Sequence, residues 1–449
     1  MVDTIYALAS AQGRAGIAIV RVSGPQAFES LSQLSSDNFP SRQAVLTQLI
    51  SPADGSLIDE CIVIAFHPPR SYTGEKTVEY NIHGGKAVRD SLLNALSKMD
   101  GHRLAEPGEF TRRAFENGNL DLTQAEAVAD LIHAETEAQK QLALSQMRGD
   151  LSNLYHSWAD QLVRALAYAE AQIDFSEEDL PEDEVKAQIH PVLKSVLKEM
   201  DDHLNDGNRG EILREGVKIA IIGAPNAGKS SLINVLAKRD VAIVSETAGT
   251  TRDVLEVHLD LNGYPVTLYD TAGLRGDTAD VIEQEGIKRA QSKAKEAALK
   301  ILLFDGTKEM DQETLSFVDD RSIVVANKMD IQSSLRGVEN DEAIQSVVHN
   351  KLSISCHTGE GLNGLIDLVS RETSKIFDDI QSSPSLTRCR HREALLLSKE
   401  HIDRALKGAS PDLIAEDIRL GVRAIGKITG RIDVEDLLDI IFRDFCIGK

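Results

Sequence analysis

The residues able to do chemistry gather in one stretch of the chain, and their types point to polyphosphate. Gly223-Ala-Pro-Asn226-Ala227-Gly228-Lys229-Ser230 fits the pattern GxxxxGK[ST], with Ser231 next. It follows the buried-strand run VKIAII and opens the helical run SSLINVLAK. In that context backbone N–H groups and a helix N-terminus cradle phosphate, Lys229 reaches the β/γ-phosphates and Ser230 ligates Mg²⁺. Gly249-Thr250-Thr251-Arg252-Asp253 supplies a threonine that completes the Mg²⁺ shell and senses the γ-phosphate. Asp270-Thr271-Ala272-Gly273 ends a strand, with Asp270 as an outer carboxylate and the Gly273 N–H near the γ-phosphate. Asn327-Lys328-Met329-Asp330 follows SIVVA; its aspartate can accept both N1–H and the exocyclic N2–H₂ of guanine, a donor pair adenine lacks. Ser355-Cys356-His357 falls where a backbone N–H steadies the guanine O6. Five such elements in this order imply a site that binds GTP and hydrolyses it.

The means of hydrolysis is less direct. The position after Gly273, where a glutamine orients water in Ras-like proteins, holds Leu274, followed by Arg275. Asn226 offers a neutral oxygen that can help hold a monovalent cation against the phosphates, in the electrostatic role of an arginine finger. The acidic stretch from Asp277 to Glu285 offers a carboxylate for the water.

Around this site the chain changes texture three times. Residues 1–118 mix strand-like runs (GIAIVRVSG, CIVIAF, TVEYNIHGG) with glycine turns, which predicts a small α+β domain. Residues 119–212 read as helical, starting at a T-x-x-E capping box formed by Thr123 and Glu126. Residues 213–374 alternate strands and helices as a parallel α/β sheet does, with a hairpin turning at Asn262-Gly263. Residues 375–449 are helical again. The fold class expected is thus an α/β P-loop GTPase domain inserted into an α-helical domain, preceded by an α+β N-terminal domain. The two helical flanks are expected to pack together.

Composition sets outer bounds. The chain has 449 residues, 42% hydrophobic and 27% charged, which are values of a globular protein with several domains. A net charge of −22 argues against indiscriminate nucleic-acid binding, though not against RNA as a substrate. No apolar run reaches a membrane span, the start is not a secretory signal, and Cys61, Cys356, Cys389 and Cys446 form no CxxC pair, so the cytoplasm is the expected compartment.

With these residues assembled, the chain resembles the tRNA modification GTPase family MnmE, also called TrmE, over essentially its whole length. Beyond the nucleotide motifs the resemblance rests on GRAGIAIVRVSG, YTGE (Tyr72–Glu75), HGG, GEFTRRAFENGNLDLTQAEAVADLI (Gly108–Ile132) and the terminal Phe445-Cys446-Ile447-Gly448-Lys449. It implies a folate-binding N-terminal domain that dimerises, a helical domain made from two chain segments and an inserted potassium-dependent G domain. It also implies work on tRNA with the flavoprotein MnmG, adding an aminomethyl-type (carboxymethylaminomethyl) group at C5 of the wobble uridine. Carried over by position, K⁺ falls to Asn226, Ser245, Thr247 and Thr250, and Mg²⁺ to Ser230 and Thr251, with Ser245, Thr250 and Thr251 also lining the GTP. Folate, as a 5-formyl- or methylene-tetrahydrofolate, falls to Arg21, Glu79, position 119 and Lys449, and the terminal cysteine, Cys446, takes a catalytic role.

Two departures accompany the resemblance. Asn119 stands where the family has a folate-contacting lysine, which weakens charge complementarity to an anionic folate tail. The stretch after DTAG is one residue longer, so alignment on Gly286 selects Glu283 as the catalytic carboxylate, with Glu285 as competitor. Cys61, Cys356, Cys389 and His83 read as structural, and Trp158 as a helix–helix core residue. The rival reading is an RNA-binding ribosome-assembly GTPase without covalent chemistry; helices ending in FCIGK, rather than a compact RNA-binding module, disfavour it.

Overall fold

The computed structural model describes residues 3–174, 182–206, 208–239, 241–243, 256–270, 297–331, 351–377, 385–408, 410–432, 435–443, 445 and 448. The N-terminal segment builds a six-stranded sheet from β1 (Thr4–Leu8), β2 (Ala15–Ser23), β3 (Ala44–Ile50), β4 (Leu57–Phe66), β5 (Thr77–Gly84) and β6 (His102–Leu104). The order is β3-β4-β5-β2-β1-β6, antiparallel except for the β1–β6 pair. Alternation along the strands turns Ala18, Val20 and Val22 of β2 and Val78, Tyr80 and Ile82 of β5 inward. They meet Leu31 and Leu34 of helix Ala27–Leu34 and Leu92 and Leu96 of helix Lys86–Ser97 in one core. The same alternation leaves Arg21 and Glu79, paired in register, on the opposite face.

The second sheet has the order β12-β11-β10-β7-β9-β8, from β7 (Val217–Ile222), β8 (Glu256–Leu261), β9 (Tyr264–Asp270), β10 (Leu299–Asp305), β11 (Ser322–Asn327) and β12 (Lys351–Ser353). All pairs are parallel except β8–β9. Asn262 and Gly263, both at positive φ (55° and 88°), link β8 to β9 in a two-residue turn, as the Asn-Gly dipeptide predicts. β7, β10 and β11 are buried nearly throughout, which is why they read as unbroken apolar runs.

The helical segments differ from expectation in one respect, the position of a cap. The first run is divided into helices Leu122–His133, Glu137–Met147, Asp150–Asp174, Glu182–Leu204 and Arg209–Glu215. Its capping box lies two residues earlier than Thr123 and Glu126, which are both buried inside the helix. Asp121 Oδ1 accepts the Gln124 N–H at 2.9 Å, and Gln124 Oε1 accepts the Asp121 N–H at 3.0 Å. Asp caps as well as Thr, and here the apolar face of the helix requires positions 122, 125 and 127 inward, which fixes the start.

Contacts divide the chain into two compact units, residues 1–129, 146–197 and 394–449 in one and 130–145 with 198–393 in the other. Within the first, helix Asp150–Asp174 packs along helix Pro411–Thr429, so the two flanks of the inserted sheet do come together. Trp158 lies there, 1% exposed, with its ring 5.7 Å from that of Tyr155.

Candidate functional site

The loop after β7 turns into helix Lys229–Leu236 through Gly228, whose φ of 102° is strained for any residue with a Cβ. A side chain there would also run into Asn327 Nδ2. Ala227, Leu232, Ile233 and Leu236 anchor this turn in the core beneath the sheet. The helix N-terminus therefore opens at the carboxyl ends of β7 and β10, at the point where strand order reverses, a place suited to an anion. Lys229 is 9% exposed, and its Nζ donates to the Gly223 and Ala224 carbonyls at 2.8 and 3.2 Å, which places the ammonium across the loop's concavity. Asn226, at φ 63°, stands at the loop's apex, with Ser230 and Ser231 in the first turn of the helix.

The residues expected to read the base come from the ends of β11 and β12. Asn327, 2% exposed, donates from Nδ2 to the Ala227 carbonyl at 2.9 Å. Its Oδ1 accepts the Cys356 N–H at 3.0 Å, so one amide joins three loops. Ser355 Oγ donates to Asp330 Oδ1 at 2.7 Å and accepts the Thr358 N–H at 3.1 Å. That bond, helped by the backbone N–H of Asp330 itself, outweighs burial and holds the Asp330 carboxyl below its ordinary value. His357 Nδ1 lies 3.6 Å from the second oxygen, Oδ2. Lys328, at φ 69°, donates from Nζ to Asp305 Oδ2 at 2.7 Å. Burial pushes Asp305 up, but Lys328 and the Thr307 donors outweigh it and hold the carboxyl at about 2. Asp305, the last residue of β10, is a partner that sequence reasoning missed; the only sign was an aspartate closing the buried run LKILLF. Burial pushes the Cys356 thiol up to about 11, which suits its reading as an unreactive residue.

Asp270 pairs in register with Ile221, which brings the end of β9 beside the phosphate loop. Ser245, Thr247, Thr250, Thr251, Thr271, Ala272, Gly273, Glu283 and its competitor Glu285 lie outside the described residues, as do Cys446 and Lys449.

A second constellation occupies the outer face of the N-terminal sheet. Arg21 Nε and Nη2 meet Glu79 Oε1 at 2.9 and 2.8 Å. The guanidinium lies over the Tyr72 ring (4.9 Å) and near the Phe110 ring (5.6 Å). Its Nη1 is buried with no acceptor among the described residues. A buried donor of this kind between aromatic faces fits a ring carrying carbonyl or carboxylate acceptors, as a folate does. Asn119 Nδ2 donates to the Ser71 and Tyr72 carbonyls at 3.1 Å each, so position 119 joins the same cluster by closing the Tyr72 loop. Beneath it, Arg113 bonds Glu109 Oε1 at 3.0 Å and Glu75 Oε2 at 3.2 Å, and Arg103 bonds Glu109 at 2.6 and 2.8 Å. This network ties Glu75 of YTGE to Glu109 and Arg113 of GEFTRR, whereas Arg112 of that motif pairs with Glu116 and Asp439. The network's only sequence signal was the i,i+4 spacing of Glu109 and Arg113.

The C-terminal segment is anchored on both sides of position 446. Phe445 packs on Phe442, Leu438, Leu122 and Ala125. Gly448 lies so close to the Leu8 carbonyl that a Cβ would overlap it. Ala7, the neighbour of Leu8, is the register partner of Arg21. His83 holds Asp59 through Nδ1 at 2.9 Å, and Cys61 is buried in the sheet core. Among the described residues no helix is long and apolar enough to cross a membrane.

Comparison with known proteins agrees along the whole chain. A family model described as the GTP-binding protein TrmE N-terminus matches residues 4–119, and one described as the MnmE helical domain matches residues 122–446. The tRNA modification GTPase MnmE of Parvibaculum lavamentivorans is 48% identical, and that of Paramagnetospirillum magneticum 47%, each over 100% of both chains. The mitochondrial 5-taurinomethyluridine-[tRNA] synthase subunit GTPB3 of Danio rerio is 45% identical over 100% of this chain and 93% of its own.

Proposed function

Because the chain belongs to the tRNA modification GTPase MnmE (TrmE) family, we propose that it hydrolyses GTP to drive modification of the wobble uridine of certain tRNAs. The group added is of the aminomethyl (carboxymethylaminomethyl) type at C5, and the work is shared with the flavoprotein MnmG. The observation that carries the reading is the link between base and phosphate subsites. Asn327 ties the phosphate loop to the Cys356 loop, and Ser355 aims the Asp330 carboxylate. Four functional segments follow: residues 1–118 for folate and for pairing two copies, 119–212 and 375–449 as the helical body, and 213–374 as the GTPase. A cytoplasmic setting goes with this role. In a strain lacking the gene, nucleoside mass spectrometry is expected to show wobble uridines without their C5 substituent, restored by the wild-type chain. Unchanged nucleosides would remove the reading.

Each residue has a part in the hydrolysis. Lys229 neutralises the β/γ-phosphates from within the loop, the helix N-terminus binds them through its N–H groups, and Asp330 selects guanine. Ser230 and Thr251 are the residues to hold Mg²⁺, and Asn226 with Ser245, Thr247 and Thr250 to hold K⁺. These ions, when bound, supply the positive charge that an arginine finger supplies in other GTPases. Glu283, or Glu285, orients the water. Asn226→Ala is therefore expected to abolish the difference between turnover in K⁺ and in Na⁺, measured as phosphate release. Full K⁺ stimulation in the variant would refute the assignment.

In the N-terminal part Arg21 and Glu79 bind a tetrahydrofolate carrier, with position 119 and Lys449 as the further contacts. Cys446, which follows Phe445 in the chain, takes the catalytic role.

A further inference from the structure

The stretch 130–145 belongs by sequence to the helical flank, yet it packs with the α/β unit. The residues on either side of it, up to 129 and from 146, belong to the other unit. The chain therefore passes between units at four places, not at the two that a simple insertion needs. Three contacts fix the excursion. The Ala138 N–H, in the first turn of helix Glu137–Met147, donates to the Gly263 carbonyl at 3.1 Å, at the tip of the β8–β9 hairpin. Gln139 Nε2 donates to the Arg214 carbonyl at 3.0 Å, three residues before β7. Ala138 and Leu142 pack against the core under the sheet. Behind them, Asp130 accepts from Arg388 at 2.8 Å and faces Arg214 at 3.8 Å.

The hairpin tip is held firmly. Asn262 Nδ2 donates to Ser370 Oγ at 2.6 Å, and the Tyr264 ring stacks on Phe377 at 4.8 Å and 8°. From that tip β9 runs without interruption to Asp270 beside the phosphate loop. At about 3.3 Å per residue the strand spans about 23 Å. A fully bonded strand resists compression and bending, so a displacement at one end is carried to the other.

We propose that residues 130–145 are a coupling strap. Nucleotide-dependent movement at Asp270 reaches Gly263 through β9, passes to helix Glu137–Met147, and is delivered by covalent continuity to the helical body. The strap thereby links GTP hydrolysis to tRNA modification, and that last link rests on the function proposed above. Gln139 is its positioning residue. It plays two roles that one substitution separates: Oε1 accepts the Glu135 and Thr136 N–H groups at 3.0 and 3.2 Å as a capping box, while Nε2 makes the tether to Arg214. Gln139→Glu keeps the capping acceptor and removes the tether donor.

The test uses the full-length chain in its GDP and non-hydrolysable GTP-analogue states. Hydrogen exchange of amides 137–147 is expected to differ severalfold between the two states in the wild type, and to be equal in Gln139→Glu. GTP turnover by the variant should stay within about twofold of wild type, while its wobble-uridine modification in a complemented deletion strain falls about tenfold. Identical exchange in the two states of the wild type, wild-type modification by the variant, or parallel loss of turnover and modification would each overturn the proposal. If the wild-type chain itself restored no modified nucleoside, the functional reading would fail, and the exchange comparison would still decide whether the strap moves.

Discussion

Asp330→Asn is expected to weaken GTP binding by two orders of magnitude or more, and to admit xanthosine triphosphate in its place. The carboxylate offers two acceptors to the two donors on one edge of guanine. The substitution takes the charge from both of these bonds and turns one of the two acceptors into a donor, and together these losses set the expected drop in affinity. An asparagine also turns its NH₂ toward a guanine donor and leaves it unmatched. Xanthine replaces that donor with a carbonyl, which the amide can serve. The frame should survive, because an asparagine oxygen can still accept the Ser355 hydroxyl now bound to Asp330 Oδ1. Competition against a fluorescent guanine nucleotide checks both halves. Guanine affinity left intact by the substitution would mean that Asp330 does not read the base.

Arg113→Ala is expected to destabilise the N-terminal sheet by about 3–5 kcal/mol, the range for breaking a buried pair by removing one partner. Arg113 is 9% exposed, and the carboxylates it would abandon, Glu109 and Glu75, are 10% and 20% exposed. Because the chain has more than one unit, a single melting temperature is a poor reporter. Exchange of the β2 and β5 amides isolates the effect, and those protection factors should fall by at least a hundredfold. Retained protection would show that Arg103 alone suffices for Glu109. The same network predicts acid sensitivity. Burial pushes the Glu109 carboxyl up, but Arg103, the Glu106 N–H and Arg113 outweigh it and hold it below the ordinary glutamate value. A carboxyl lowered on folding stabilises fully above its unfolded value, and that contribution disappears as pH falls through the lowered one.

What was legible in the sequence was what is local. The turn after β7, Asn327–Asp330 and Ser355–His357 stand out because each is a short contiguous segment, and the structure joins the three through the Asn327 amide. The Asn262-Gly263 turn was equally plain, since only a few residue pairs tolerate two positive φ values in succession. Features that depend on partners distant in sequence were not legible. Arg113 and Glu75 are 38 residues apart, and nothing in either motif says that one supports the other. The helix at 137–147 has almost no apolar stripe, so its pattern could not say which core it faces. The capping box was misplaced by two residues because Asp121-x-x-Gln124 and Thr123-x-x-Glu126 satisfy the same rule, and only burial separates them.

The bridging amide of Asn327 bears on which positions of the site can drift over evolutionary time. It must donate to Ala227 and accept from Cys356 at once. Aspartate cannot donate, leucine can do neither, and glutamine is a methylene too long for a side chain only 2% exposed. Position 327 is thereby frozen. Position 356 gives its main-chain N–H to this bridge and sets its thiol beside the same Asn327 side chain, so it calls for a small residue there, and a cysteine can occupy the loop without any demand for thiol chemistry. Two adjoining residues of one binding site thus stand under different degrees of constraint, set by whether side chain or backbone makes the bond.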